Sequence, residues 1–270
     1  MRQNISSLLL LSSVLIAGVT CQLVINVSSG EADANVVKQT VTGNTTAETV
    51  TISFLTAAGT AVTQLTDFRS GVTLTSVTIL GEQELGEPPY QRLCFVTPGT
   101  GDMIPPEAVN KLRQKHPGAV RVAEESRGRV VIDNTATLNI NKAQYLSSHI
   151  YHTCKDARET TFVPQHLISQ FKEGVIGVKK GLIRKETSYF SPNEGYTGQK
   201  RCAQVSTSDL NTPCVCVVDT CVHWYPCSLK YCRNNGPDAG EHRCGIRTCS
   251  KCSEMRFTAT NKMLCSWDSL

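Results

Sequence analysis

Charge is spread thinly along this chain, and no run of one sign is long. Lys and Arg number 27 against 23 Asp and Glu, a net charge of +4 over 270 residues, which by itself implies no nucleic-acid partner. Beyond residue 20 no apolar stretch reaches the roughly 20 residues that a membrane span needs. Catalytic signatures are also missing: there is no G-x-S-x-G, no H-E-x-x-H and no phosphate-cradling glycine loop. His149 and His152 lie at helical spacing, but neither a carboxylate nor a third histidine completes a zinc site. These absences favour a non-enzymatic chain with no cofactor, no metal and no membrane span.

Aliphatic residues are scarce in the last seventy positions, which instead hold ten of the thirteen cysteines and both tryptophans. So short and polar a segment cannot offset its chain entropy by apolar burial alone. Cross-links or a metal must hold it. The spacings Cys214-x-Cys216, Cys227-x4-Cys232 and Cys244-x4-Cys249-x2-Cys252 invite a zinc reading. Only the last pair has the commonest hook spacing, and no second such hook partners it. Disulfides are favoured wherever the compartment is oxidising.

The N-terminus decides the compartment. Met1-Arg2 precedes an uncharged apolar run, Leu8 to Val19, which reads as a secretory signal peptide ending at Cys21. Cleavage there discards Cys21 and leaves twelve cysteines, an even number: Cys94, Cys154, Cys202, Cys214, Cys216, Cys221, Cys227, Cys232, Cys244, Cys249, Cys252 and Cys265. Asn26-Val27-Ser28 and Asn44-Thr45-Thr46 are then credible glycan acceptors at Asn26 and Asn44. The expected location is extracellular.

From Thr49 to Thr97 the texture is β. Thr49–Phe54, Ala61–Leu65, Val72–Leu80 and Leu93–Thr97 are β-branched or alternating, with turn signals between them. Pro105-Pro106-Glu107 then starts a helix that Pro117-Gly118 stops. Arg129–Ile132 and Ala136–Ile140 read as two strands across a tight Asp133-Asn134 turn, and Ala143–Ala157 as a second helix. The fold class expected is α+β, an antiparallel sheet with two helices, followed by a small disulfide-rich domain. The organisation expected is a signal peptide at 1–21, an extended segment at 22–44, the α+β domain at 45–158, a linker at 159–199 and the cysteine-rich domain at 200–270. Cys94 and Cys154 are the only cysteines of the α+β domain, and the even count in the tail favours their pairing with each other. The basic cluster Lys179-Lys180 and Arg184-Lys185 suits either a polyanion contact or a solvated linker. Trp224 and Tyr225 suit either apolar filling between bridges or an exposed binding spot.

Leu93-Cys94-Phe95-Val96-Thr97, Lys111-Leu112-Arg113-Gln114-Lys115 and Ala123-Glu124-Glu125 resemble the Out at first family. So do Pro213-Cys214-Val215-Cys216, Trp224-Tyr225-Pro226-Cys227, Cys244-Gly245-Ile246-Arg247 and Trp267-Asp268. The resemblance implies a secreted protein with a developmental role. Cys221 and Cys252 exceed the eight tail cysteines of the family, which implies an added bridge between those two. The central region also resembles BRICHOS domains, with Cys94, Cys154 and Asp67 at the matching positions. That resemblance implies a chaperone-like shield for a β-prone client or for the chain's own tail, whereas Asp67 read locally is a turn residue. The leading expectation is a secreted factor that binds an extracellular protein.

Overall fold

The computed structural model describes residues 21–28, 36–81, 84, 88–99, 101–112, 116, 118–171, 183–186, 200–206, 209, 211–233 and 240–269. Residues 1–20 of the expected signal peptide and Lys179-Lys180 lie outside the described residues.

Six strands follow one another as an antiparallel meander: β1 (Cys21–Ser28), β2 (Val36–Asn44), β3 (Thr49–Leu55), β4 (Ala61–Asp67), β5 (Val72–Leu80) and β6 (Tyr90–Pro98). Alternation explains them. In β2 and β3, Val41, Val50, Ile52 and Phe54 are buried while Thr40, Thr42, Thr51 and Ser53 between them are only half-buried, the pattern of a sheet with one core face. Residues 22–44, expected as an extended segment ahead of the domain, supply most of β1 and all of β2, with Leu23, Ile25 and Val27 buried. Short strands complete the sheet: β7 (Val120–Arg121) beside β1, then β9 (Ala136–Leu138), β10 (Thr161–Val163) and β11 (Ile183–Glu186) beyond β6. The order is β11-β9-β10-β6-β5-β4-β3-β2-β1-β7.

The second sheet has three strands. β12 (Cys214–Arg233) and β13 (Glu241–Ala259) form a long antiparallel ribbon, and β8 (Glu125–Asn134) runs parallel to β13. The cysteine-rich tail is therefore mostly extended. Its apolar side chains pack on the first sheet: Trp224 and Tyr225 join the cluster of Leu23, Val41 and Ile52, while Met255 and Phe257 join Val77, Phe95 and Phe162. Phe162 and Phe257 approach to 4.4 Å between ring centroids, and Phe95 lies 5.7 Å from Phe162. This aromatic group ties the sheets together.

The expectation of a two-helix, BRICHOS-like α+β fold is overturned, because the chain is mostly β. Its first helix is the four-residue α1 (Pro106–Val109), packed so closely on β2 that a Cβ on Gly43 would sit 2.9 Å from the Pro106 carbonyl oxygen. The expected helix over Ala143–Ala157 is broken into a 3-10 turn at Ala143–Tyr145, the six-residue α2 (His149–Cys154) and a second 3-10 turn at Lys155–Ala157. The interruption falls at Ser147-Ser148. There the Ser147 hydroxyl is drawn off to the Asp67 carboxylate, so it serves a tertiary contact and not a continuous helix. The expected hairpin across Asp133-Asn134 is also absent: β8 pairs with β13 in one sheet and β9 with β10 and β11 in the other. Asn134, fully buried, donates from Nδ2 to the carbonyls of Ile132 and Arg256 at the point where the chain changes sheets.

Candidate functional site

Two features stand out between and beside the sheets. The first is a cavity of about 500 Å³ between β3–β6 on one side and β12, β13 and β8 on the other. Ile52, Phe68, Met103, Val222 and Met255 give it an apolar lining, with hydroxyl and amide groups such as Thr73 and Gln64 interspersed. Asp102 and Lys251 also line it and form an ion pair at 3.3 Å. Tyr225 lies on the wall, 4% exposed, and its hydroxyl has no hydrogen-bond partner among the described residues. Burial, and after it the negative charge of Asp102, pushes the Tyr225 hydroxyl up to about 12, so it stays a protonated donor at neutral pH.

The second feature is the outer edge of β8. The large sheet ends in β11 and β7, four and two residues long; short edges of this kind resist further pairing. The outer edge of β12 is partly occupied: the amide N–H of Val215 donates to the carbonyl of Lys200, and the Trp267 indole donates to the carbonyl of Val217 at 2.9 Å. The bond between Cys216 and Cys265 holds that cover in place. β8 differs. It is ten residues long, pairs on one side only among the described residues, and leaves Val130 and Val131 39% and 46% exposed. A row of charge crosses the sheet beside it, with Arg129 bound to Asp219 and lying 3.9 Å from Glu254.

Among the described residues no group of three or more His, Cys, Asp or Glu is placed to hold a metal ion. The twelve cysteines from Cys94 onward form six pairs: Cys94–Cys154, Cys202–Cys214, Cys216–Cys265, Cys221–Cys252, Cys227–Cys249 and Cys232–Cys244. Three of these are nested rungs across the β12–β13 ribbon, a pattern that the roughly symmetric spacing of the six cysteines about residue 238 already carried. Asp67 is a buried turn residue: its carboxylate accepts from the Ser70 amide at 3.0 Å and the Ser147 hydroxyl at 2.6 Å. Burial would raise its pKa, but the hydrogen bonds from Ser147 and Ser70 outweigh burial and hold the carboxyl below its ordinary value. Trp224 and Tyr225 are both buried, so they offer no exposed recognition spot. The cause is a register shift between Val222 and Tyr225, where β12 lies over β1–β3. Asn26 sits within β1, and Asn44, at the end of β2, accepts from the Ala47 amide through Oδ1 at 3.0 Å.

Sequence comparison adds to the geometry at this point. Residues 21–171 match the family pattern described as Out at first, and residues 201–269 match its C-terminal counterpart. The chain belongs to the Out at first family. It is 34% identical over 259 residues to the Out at first protein of Drosophila virilis, covering 92% of this chain and 82% of that protein. It is 33% identical over 260 residues to the Out at first protein of Drosophila melanogaster, covering 92% of this chain but 52% of that longer protein. No solved structure matches. Both family-matched regions contribute to the three-stranded sheet, β8 from the first and β12 and β13 from the second.

The edge of β8, the Asp102–Lys251 pair and the role of Ser147 escaped the sequence reading. The valines of β8 carried a signal, two adjacent β-branched residues among Arg127, Gly128 and Arg129. What no pattern shows is that β8 lies at an edge.

Proposed function

We propose that this chain is a secreted, non-enzymatic factor with a developmental or signalling role, and that it binds an extracellular protein along β8. The observation that carries the reading is the one-sided pairing of β8, with exposed Val130 and Val131 on a ten-residue strand. Such an edge presents a row of backbone donors and acceptors to an extended segment of a partner; backbone bonds supply affinity and the adjacent side chains supply selectivity. Six disulfides among the described residues support an oxidising, extracellular location. No helix among the described residues is long and apolar enough to cross a membrane. The chaperone alternative rested on a BRICHOS-like fold and loses its ground with that fold.

Site-specific photo-crosslinking tests the reading. A photoreactive phenylalanine analogue replaces Val131 in the full chain secreted by cultured cells, and the same analogue replaces Leu80, which is 64% exposed at the end of β5. Discrete adducts with an extracellular protein from Val131 and none from Leu80 are expected, and Val130→Lys should abolish them. Equal labelling from both positions, or none from Val131, contradicts the assignment.

A further inference from the structure

The cavity between the sheets serves no step of the protein-binding reading, and its wall is unusual. Interiors close to native density leave few voids larger than a water molecule. A hollow of about 500 Å³ instead falls within the range of about 300–1,000 Å³ typical of small-molecule sites. Crosslinks flank it: Cys221–Cys252 and Cys227–Cys249 tie β12 to β13 on either side of Val222 and Tyr225. These covalent rungs fix β12 and β13 to each other along that wall.

The chemistry of the lining narrows the occupant. Its aliphatic and aromatic side chains require a predominantly apolar body. The buried Tyr225 hydroxyl has no hydrogen-bond partner among the described residues, and a buried donor left unmade is costly; an acceptor carried by a ligand removes that cost. Charge argues against an anion. On the lining one carboxylate, Asp102, stands beside one ammonium, Lys251, with His166 the remaining basic side chain there. Lys251 is already spent on Asp102, and the Asp67 carboxylate is held by Ser147 and Ser70. A free carboxylate entering this space would meet Asp102 with no unpaired ammonium to receive it.

We propose that the inter-sheet cavity binds a neutral, mainly apolar small molecule whose hydroxyl or carbonyl oxygen accepts a hydrogen bond from Tyr225. The site is distinct from the edge of β8 in its ligand, although Val130 and Val131 contribute to its rim.

Retinol and retinoic acid form a matched pair of probes, alike in their apolar body and differing in a neutral or an ionised head. Each is titrated into the full oxidised chain at pH 7.4 and followed by ligand and tryptophan fluorescence. Retinol should saturate at one molecule per chain, with retinoic acid at least tenfold weaker. Tyr225→Phe, which preserves the ring, should weaken retinol about three- to tenfold. Ser253→Trp, which places a large side chain on the cavity wall, should remove saturable binding while the intact mass still reports six disulfides. No saturable retinol signal overturns the proposal, as does equal affinity for the acid or an unchanged affinity in Tyr225→Phe.

Discussion

The hydroxyl of Ser147 donates to the carboxylate of Asp67 at 2.6 Å across eighty positions of sequence. This bond fastens the turn after β4 to the segment that leads into α2, and α2 in turn is bound to β6 through Cys94–Cys154. Both residues are buried. Polar side chains here close the face of the large sheet that the second sheet does not cover.

Acid should therefore loosen this corner. The folded-state pKa of Asp67 is depressed below its ordinary 3.8, so the unfolded chain binds the proton more readily. Its contribution is fully present above that ordinary value and is lost as pH falls towards the folded value. Asp67→Asn should lower stability at pH 7 by about 1–3 kcal/mol and flatten the acid limb of the stability curve. Denaturant unfolding at a series of pH values between 2 and 7 checks both effects; an acid limb unchanged by the substitution contradicts them.

Gly43 supplies a second test. A methyl group there would lie 2.7 Å from Oδ1 of Asn110 and 2.9 Å from the backbone oxygen of Pro106. The backbone contact cannot be relieved by turning a side chain, so α1 must move off β2. Gly43→Ala is expected to destabilise by about 1–3 kcal/mol, measured by denaturant unfolding. Hydrogen exchange should quicken first around Pro106–Val109. A neutral substitution would show that the packing of α1 is looser than described.

The strands from β3 to β6 were legible because their alternation is local and their turns carry recognisable chemistry, such as Gly59 and Gly71 at positive φ. The two helices were misread for a physical reason. Residues 143–157 have a helical pattern of apolar side chains, but Ile150 and Cys154 face a sheet that also claims Ser147 for Asp67, and these contacts outweigh propensity. The strand expected at Arg129–Ile132 was placed in the wrong sheet because the partner of β8, β13, lies more than a hundred residues away. Parallel pairing at that distance leaves no trace in local periodicity. Tyr225 was noticed as an aromatic beside Trp224, but its unpaired hydroxyl depends on which wall it faces, and only the packing of both sheets decides that.

The bridge between Cys221 and Cys252 joins residues that are already opposite each other in the β12–β13 ladder. Replacing both by Ser should leave the register intact and reduce stability by up to about 4 kcal/mol, the closure entropy of a loop of this length. The other five bridges should still form, which intact mass after thiol blocking reads directly. Scrambling of the remaining pairs would mean that this rung directs the rest.

Phe257 carries the contact between the sheets, 4.4 Å from Phe162 and 5.9 Å from Phe95 by ring centroids. Phe257→Ala should cost about 3–5 kcal/mol and expose the apolar faces of both sheets, seen as increased binding of a hydrophobic dye. Phe257→Leu should cost much less. Equal losses from the two substitutions would contradict this and show that the ring itself, not apolar volume, makes the sheet-to-sheet contact.

Non-reducing peptide mapping of the chain recovered from culture medium tests the account most directly. The structure and the proposed location together predict six bridges and no free thiol from Gln22 onward, with Cys94 bound to Cys154 and the nested rungs Cys221–Cys252, Cys227–Cys249 and Cys232–Cys244. A link from Cys94 into residues 202–265, or several free cysteines in the secreted protein, would contradict it.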